Sequence, residues 1–214
     1  MMLRKSVLSL AMAAGLALSG AGWAADPQPG GTLNFAVVAG PPTYDLHAAN
    51  SFSVIHYLAP HYSGLLTFDW ANYPALEGDV ATSWTVSDDE LTYTFKLRED
   101  VTFHDGTPMT SADVAASYER LRNPPEGVVS VRVSQFSDID SIETPDDYTV
   151  VFKMARANSS MMMVFASPWN AIYSAAKLAE DPRFPEKNVL GTGPFKFVEY
   201  VAGARWIGEK YDDY

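Results

Sequence analysis

The chain has 214 residues, of which 47% are hydrophobic and 19% are charged, a composition typical of a globular protein rather than a disordered one. Its 26 acidic residues against 15 basic ones give a net charge of −11. That charge argues against binding to nucleic acid or to an anionic membrane, because both need a basic face. The absence of cysteine excludes disulfide bonds, a thiol nucleophile and the lipidated cysteine of a lipoprotein.

The first 24 residues predict a cleaved signal peptide. Arg4 and Lys5 form a basic start, and Val7–Leu18 form an apolar run that is too short to span a bilayer. Small residues place the cleavage after Ala24, and an uncleaved membrane anchor is the alternative. Without its two leading basic residues, the mature chain has 13 basic and 26 acidic residues, a net charge of −13. We expect a soluble protein in the periplasm.

The first half of the mature chain predicts strands and one helix separated by turn-rich segments. Thr32–Val38 is β-rich and mostly apolar, which predicts a buried strand. A polar loop over Thr43–Asn50 follows. Ser51–Tyr62 predicts a short helix that Pro60 interrupts, and Leu65–Phe68 predicts a short strand.

The best-specified stretch is Trp84–Leu121, which predicts two strands, two turns and a helix. Within it, Leu91–Arg98 alternates apolar and polar residues, as in a half-buried antiparallel strand. The acidic pair Asp88–Asp89 predicts the hairpin turn before that strand, and Asp105–Gly106 predicts a second turn. Thr110–Asp113 has the spacing of a capping box, with Asp in place of the usual Glu or Gln, and begins the helix.

The second half of the chain also predicts strands and helices separated by turns. Pro145–Met154 echoes the first paired-Asp turn and strand, and therefore predicts a second hairpin. Ser159–Ala166 and Ser174–Ala179 predict short helices. Asn188–Tyr200 predicts a glycine turn that leads into a strand, with Ala204–Gly208 as its partner. Helices mixed with antiparallel hairpins indicate a mixed α/β or α+β fold.

The residues that could carry out a reaction form no recognisable catalytic pattern. The four histidines lack the helical spacing of a metal site, and His104 is expected to pack or to form hydrogen bonds beside its turn. An exported metal-dependent hydrolase that uses these histidines is the alternative from another functional class. The paired aspartates fit solvated turns, because adjacent strand residues point to opposite faces. We therefore predict no catalytic residues, no metal ligands and no cofactor.

Two further motifs have structural interpretations. The turn Gly191–Pro194 lacks the Lys-Ser/Thr ending of a phosphate-binding loop, which favours a constrained turn into a strand. Met161–Met163 spans most of a helix circumference, so these side chains cannot all line one pocket. We expect at least two of the three in the core.

Two blocks in the expected order resemble family 5 of the bacterial extracellular solute-binding proteins, the oligopeptide, dipeptide and nickel-binding group. The first is the stretch Trp84–Leu121, and the second is Asn188–Tyr200 with its turn Gly191–Phe195. The resemblance covers essentially all of the mature chain. It rests within the first block on the residues Trp84, Asp88, Tyr93, Thr94, Phe95, Leu97, Arg98, Val101, Phe103, His104, Asp105, Gly106, Asp113 and Val114.

The resemblance implies a type II periplasmic-binding-protein fold: a mixed sheet with antiparallel hairpins and flanking helices. Family members are usually more than twice this long. We therefore expect residues 25–214 to form lobe one only, without the second lobe and the C-terminal return to lobe one. A complete protein is expected to be a monomer.

The resemblance also implies a periplasmic receptor of an ABC importer, which delivers a small solute to a membrane permease. The expected solute is a di- or oligopeptide, with a nickel chelate, haem, an opine or a sugar as alternatives. Candidate ligand-binding residues are Pro42, Tyr44, Asp45 and Trp169. The first three would form a wall of lobe one, with Asp45 available to a cationic group, and ordinary turn chemistry is the alternative for this loop. Trp169 would stack on the ligand, with a buried structural tryptophan as the alternative. A sensor or chaperone on the same fold is a further alternative.

Overall fold

The structure is a computed structural model that describes residues 30–214. The chain divides into two units, Met1–Ala36 and Val37–Tyr214, and only residues 30–36 of the first unit are described. The signal peptide predicted over residues 1–24 lies outside the described residues. Within residues 30–214, no helix is both long enough and apolar enough to cross a membrane.

The second unit is built from short helices and eight strands joined in antiparallel pairs. The α-helices are α1 Phe52–Leu58, α2 Ser111–Arg122, α3 Met161–Phe165 and α4 Ala175–Glu180. The strands are β1 Leu66–Phe68, β2 Leu76–Gly78, β3 Ala81–Val86, β4 Thr92–Leu97, β5 Ile139–Asp146, β6 Thr149–Met154, β7 Phe195–Val201 and β8 Arg205–Lys210. Turns of 3₁₀ helix cover Ala59–His61, Val133–Gln135 and Phe184–Glu186.

The predicted strand Thr32–Val38 is wrong. This segment forms no ladder with any other described residue, and the side chains of Leu33 and Val38 are 86% and 101% exposed. A β-rich composition alone cannot make a strand, because the backbone N–H and C=O groups need a partner chain segment.

The largest sheet has four antiparallel strands in the order β3-β4-β6-β5. On β4, Tyr93, Phe95 and Leu97 are buried while Lys96 is exposed, which confirms the predicted alternation. The two hairpins β3-β4 and β5-β6 are those predicted from the paired aspartates. Every strand pair of the described residues is antiparallel, so the mixed sheet in our prediction is corrected.

Helix α2 packs on this sheet and starts at the predicted capping box. Thr110 donates its backbone N–H to Oδ2 of Asp113 at 2.7 Å and its hydroxyl to the same oxygen at 3.1 Å, so the Asp replaces Glu at this position. The ring of Tyr118 lies 5.1 Å from Phe152 and 5.6 Å from Phe165, centroid to centroid. These edge-to-face aromatic contacts lie in the main core, where helix and sheet pack together.

The other short elements match the sequence with small shifts. Helix α1 ends before Pro60, which lies in the 3₁₀ turn that follows, as the predicted interruption requires. Strand β2 was not predicted, because its three residues follow a turn and show no alternation. In the methionine run, Met161 is buried and Met162 packs against the core, whereas Met163 is 38% exposed. The prediction of at least two core methionines is confirmed.

The ribbon formed by β7 and β8 is anchored through the glycine turn before it. A Cβ on Gly191 would collide with the carbonyl oxygen of His61, and a Cβ on Gly193 would collide with the same stretch of backbone. Gly193 donates its N–H to the His61 carbonyl at 3.1 Å. Glycine is therefore required for close approach of two backbones, which confirms the constrained-turn interpretation.

Candidate functional site

Three loops meet at one place on the second unit, and we call this place the three-loop junction. Its loops are 43–50, 128–132 and 169–174. Val131 donates its N–H to the carbonyl of His47 at 3.1 Å, which joins the first two loops. His47 joins the first loop to the third, because its Nε2 lies 2.9 Å from the carbonyl oxygen of Ala171. Of the predicted wall of lobe one, Tyr44 and Asp45 lie on the first loop and Pro42 immediately precedes it.

A buried ion pair fixes the first loop to helix α2. Both guanidinium arms of Arg120 donate to the carboxylate of Asp45, at 3.2 Å and 2.6 Å. The two side chains are only 3% and 1% exposed. Tyr173 also donates its hydroxyl to Asp45, at 3.1 Å. The structure therefore corrects the expectation that Asp45 offers a free carboxylate to a cationic group, because this carboxylate faces inward and is already paired.

His47 is held neutral beside this ion pair. Its Nε2 donates to the Ala171 carbonyl, and its Nδ1 accepts from Nη1 of Arg120 at 3.2 Å, an arrangement that leaves no room for a second proton. Complete burial lowers the pKa of His47 to about 3, against the opposing attraction of Asp45. His47 thus serves as a hydrogen-bonding bridge and has no free nitrogen for a metal ion.

A second arginine also holds the first loop through hydrogen bonds. Arg132 donates from its guanidinium to the carbonyl oxygens of Leu46, His47 and Ala49 at 2.9, 3.1 and 2.7 Å. The guanidinium carbon also lies 4.7 Å from the ring centroid of Trp169, in cation–π contact. Burial lowers the pKa of Arg132 to about 10, so the side chain stays charged at neutral pH. One buried side chain therefore holds both the loop and the tryptophan.

The outer flank of the first loop packs on the β7-β8 ribbon through aromatic rings. We call this group the aromatic cluster: Tyr44, Tyr57, Phe197, Tyr200 and Trp206. Tyr44 meets Trp206 edge to face, with centroids 5.3 Å apart and planes at 89°. The backbone N–H of Tyr44 donates to the Glu186 carbonyl at 3.1 Å. Partial burial raises the pKa of the Tyr44 hydroxyl.

His61 forms hydrogen bonds with both strands of the β7-β8 ribbon and is also neutral. Its Nδ1 donates to the carbonyl of Phe195 at 2.6 Å, so its Nε2 accepts from the indole N–H of Trp206 at 2.9 Å. Burial lowers the pKa of His61 to about 4. The prediction that His104 forms a hydrogen bond is confirmed, since its Nε2 lies 2.9 Å from the carbonyl oxygen of Gly193. Within residues 30–214, no group of three or more possible ligand residues is placed to hold a metal ion.

The structure brings the four predicted binding residues to one region but gives them different surroundings. Pro42 is exposed, and Tyr44 and Trp169 are partly buried. Asp45 is interior. Sequence reasoning missed the two arginines, which are 75 and more than 80 residues from their partners in the first loop. No local pattern marks such contacts, because both arginines resemble ordinary polar positions of a helix and a loop.

Comparison with known sequences identifies one protein family. The profile of the bacterial extracellular solute-binding proteins, family 5 middle, matches residues 75–214. A putative ABC transporter peptide-binding protein of Brucella ovis is 34% identical over 94% of this chain, which covers 39% of that relative. The probable D,D-dipeptide-binding periplasmic protein DdpA of Escherichia coli is 33% identical over 62% of this chain and 26% of its own length.

Solved structures of two relatives superpose well on this chain. AgaA from A. tumefaciens R10, in complex with agropinic acid, has a TM-score of 0.75 and 34% identity, over 82% of this chain and 35% of AgaA. DppA from Helicobacter pylori, in complex with the peptide STSA, has a TM-score of 0.73 and 26% identity, over 82% of this chain and 38% of DppA. These matches confirm the type II periplasmic-binding-protein fold class. The chain spans about two fifths of the length of the curated relatives that it matches over nearly its whole length. It belongs to family 5 of the bacterial extracellular solute-binding proteins.

Proposed function

We propose that this chain supplies the first lobe of a periplasmic receptor for an ABC importer. The receptor binds a di- or oligopeptide and delivers it to a membrane permease. In this proposal residues 1–24 are a cleaved signal peptide, residues 25–214 form lobe one, and the second lobe lies outside this sequence. The family membership and the names of the peptide-binding relatives support the proposal.

The observation that carries this proposal is the support under the three-loop junction. A receptor needs a preformed wall with a few placed groups, since ordering a mobile loop on binding costs affinity. Here Arg120 and Arg132 fix the first loop, and the guanidinium of Arg132 also packs on the ring of Trp169. Tyr44 lies on the outer side of that fixed loop, and the exposed Pro42 precedes it. Closure of a second lobe over this wall would complete a concave site.

The hydrolase alternative receives no support from the described residues. Two of its four histidines, His47 and His61, have both ring nitrogens engaged in hydrogen bonds. The family and its relatives are transport-associated binding proteins. A sensor or chaperone on this fold would use the same wall, and a permease gene next to this one would favour transport.

Trp169→Leu in the complete reading frame tests the wall. We expect about a tenfold loss of affinity for the tightest-binding member of a dipeptide and oligopeptide panel, because an aromatic stacking surface disappears. Isothermal titration calorimetry measures the affinity, and thermal unfolding shows whether the fold survives. The matched control is Trp70→Leu, since Trp70 is 75% exposed on the connection between β1 and β2 and lies outside the junction. Equal affinities for the two variants would contradict the assignment of the wall.

A further inference from the structure

The three-loop junction holds one buried positive charge more than it holds negative charge. Arg120 is neutralised by Asp45, and His47 is neutral. The ion pairs of residues 30–214 include none to Arg132, whose hydrogen bonds go to backbone carbonyl oxygens. The nearby Glu186 forms its own ion pair with Arg183. The sum over these side chains is therefore +1.

This local charge is opposite to that of the chain as a whole. The sequence carries a net charge of −11, so most of its surface repels anions at long range. Arg132 is only 5% exposed and lies against Trp169, so surrounding salt screens its charge less than that of a surface arginine. A cation on one side of an indole ring also disfavours a second cation near the same ring.

We propose that Arg132 makes the three-loop junction selective for an anionic group of the solute, most simply a carboxylate. This inference rests on the proposed function. Arg132 acts as a positioning residue, because it holds the loop and Trp169 in place. Its positive charge attracts the anionic group of the solute without direct contact between the two. A free Asp45 carboxylate would instead have favoured a cationic group of the solute.

A cysteine reporter tests the field without any solute, because the chain has no cysteine of its own. Ala48 is partly exposed and lies between two residues whose carbonyls bond to Arg132. We expect Ala48→Cys to show about a threefold higher thiolate fraction at neutral pH than Ala202→Cys, its matched control on the exposed β7-β8 turn. Ultraviolet absorbance of the thiolate gives the fraction.

Adding Arg132→Gln to the reporter should bring its thiolate fraction down to that of the control, whereas Arg132→Lys should keep most of the difference. Circular dichroism establishes that each variant is folded. The comparison of the two single cysteines needs no change at Arg132, so it decides the matter even where a variant fails to fold. Equal thiolate fractions at positions 48 and 202 would overturn the proposal.

Solute binding tests the same preference in the complete reading frame. The probes are dipeptides with a free terminal carboxylate and the same dipeptides as terminal amides, measured by calorimetry. We expect about tenfold tighter binding of the acids, lost in Arg132→Gln and partly kept in Arg132→Lys. Amides that bind as tightly as acids would overturn the anion preference. If neither probe binds while the cysteine reporter responds, the anion preference stands and the peptide-receptor function fails.

Discussion

The two sides of the loop 43–50 are held by different chemistry. On the inner side, Arg120 and Arg132 bind a carboxylate and three carbonyl oxygens. On the outer side, Tyr44 packs into rings from the ribbon. Charged hydrogen bonds fix atomic positions but cost much when one partner is removed. Aromatic contacts spread a similar stabilisation over area and tolerate the loss of one polar atom.

Each side also contains one neutral histidine with both nitrogens satisfied. His47 accepts from an arginine, whereas His61 accepts from an indole N–H. The comparison teaches that burial decides the protonation state in both surroundings, since it is the largest cause of the lowered pKa of each. The neighbouring groups decide which tautomer is present.

The largest effect should come from breaking the charged side. Arg120→Met removes the cation that pairs with the buried Asp45 and leaves this carboxylate only its hydrogen bonds from neutral groups, so we expect a loss of about 3–5 kcal/mol in the free energy of unfolding. Urea denaturation measures it. Arg183→Met, which removes a surface pair with Glu186, is the control and should leave stability unchanged. The double variant Asp45→Asn with Arg120→Met should recover part of the loss. A double variant no more stable than Arg120→Met would argue against an uncompensated charge as the cause.

Acid should destabilise both sides of the loop. The pKa values of His47 and His61 are lowered to about 3 and about 4 in the folded protein, below the ordinary value near 6.5. The unfolded chain therefore takes up these protons first as the pH falls. Stability should be full above pH 6.5 and decrease as the pH falls toward 4, by up to about 3 kcal/mol for His61.

Trp206→Phe separates the two histidines in this titration. It removes the indole N–H that occupies Nε2 of His61, so the folded pKa of His61 should move toward 6.5. Denaturation curves measured from pH 7 to pH 4 should then show a shallower loss of stability than in the parent chain, with the part due to His47 retained. An identical pH dependence in both proteins would show that the hydrogen bond from Trp206 does not lower the pKa of His61.

The smallest effect should come from a polar atom on the aromatic side. Tyr200→Phe keeps the ring that faces Tyr44 and Trp206, and we expect a change below about 0.5 kcal/mol. Tyr200→Ala should cost clearly more, because ring contacts disappear. Both are measured by thermal unfolding. If the two variants were equally destabilised, the hydroxyl would matter more than the ring, and the contrast between the two sides would be wrong.

The elements that could be predicted from sequence are those specified by neighbouring residues. Alternation along β4, the paired-Asp turns and the capping box at Thr110 each depend on residues within a few positions, and each is present. The failed strand at Thr32–Val38 had the right composition, but a strand also depends on a distant partner. The amino-acid composition of a segment gives no information about the distant strand with which it would have to pair.

The candidate site was predicted only in part, for the same reason. The loop with Pro42 and Tyr44 was recognisable, yet the role of Asp45 depends on Arg120, which lies 75 residues away. A sequence shows that a carboxylate is present but not whether it is buried and paired. The charge preference that we propose for the junction therefore depends on the three-dimensional contacts. Asp45 pairs with Arg120, which leaves the positive charge of Arg132 without a carboxylate partner among the described residues.

The contact between Tyr44 and Trp206 has a consequence for the order of events during synthesis. These residues are 162 positions apart, so a chain that emerges from the ribosome amino end first cannot complete the outer flank of the loop until Trp206 has been made. Contacts between distant positions also slow folding. Nascent chains that stop short of the ribbon should therefore remain open to proteases at the loop 43–50, long after the hairpin β3-β4 has formed.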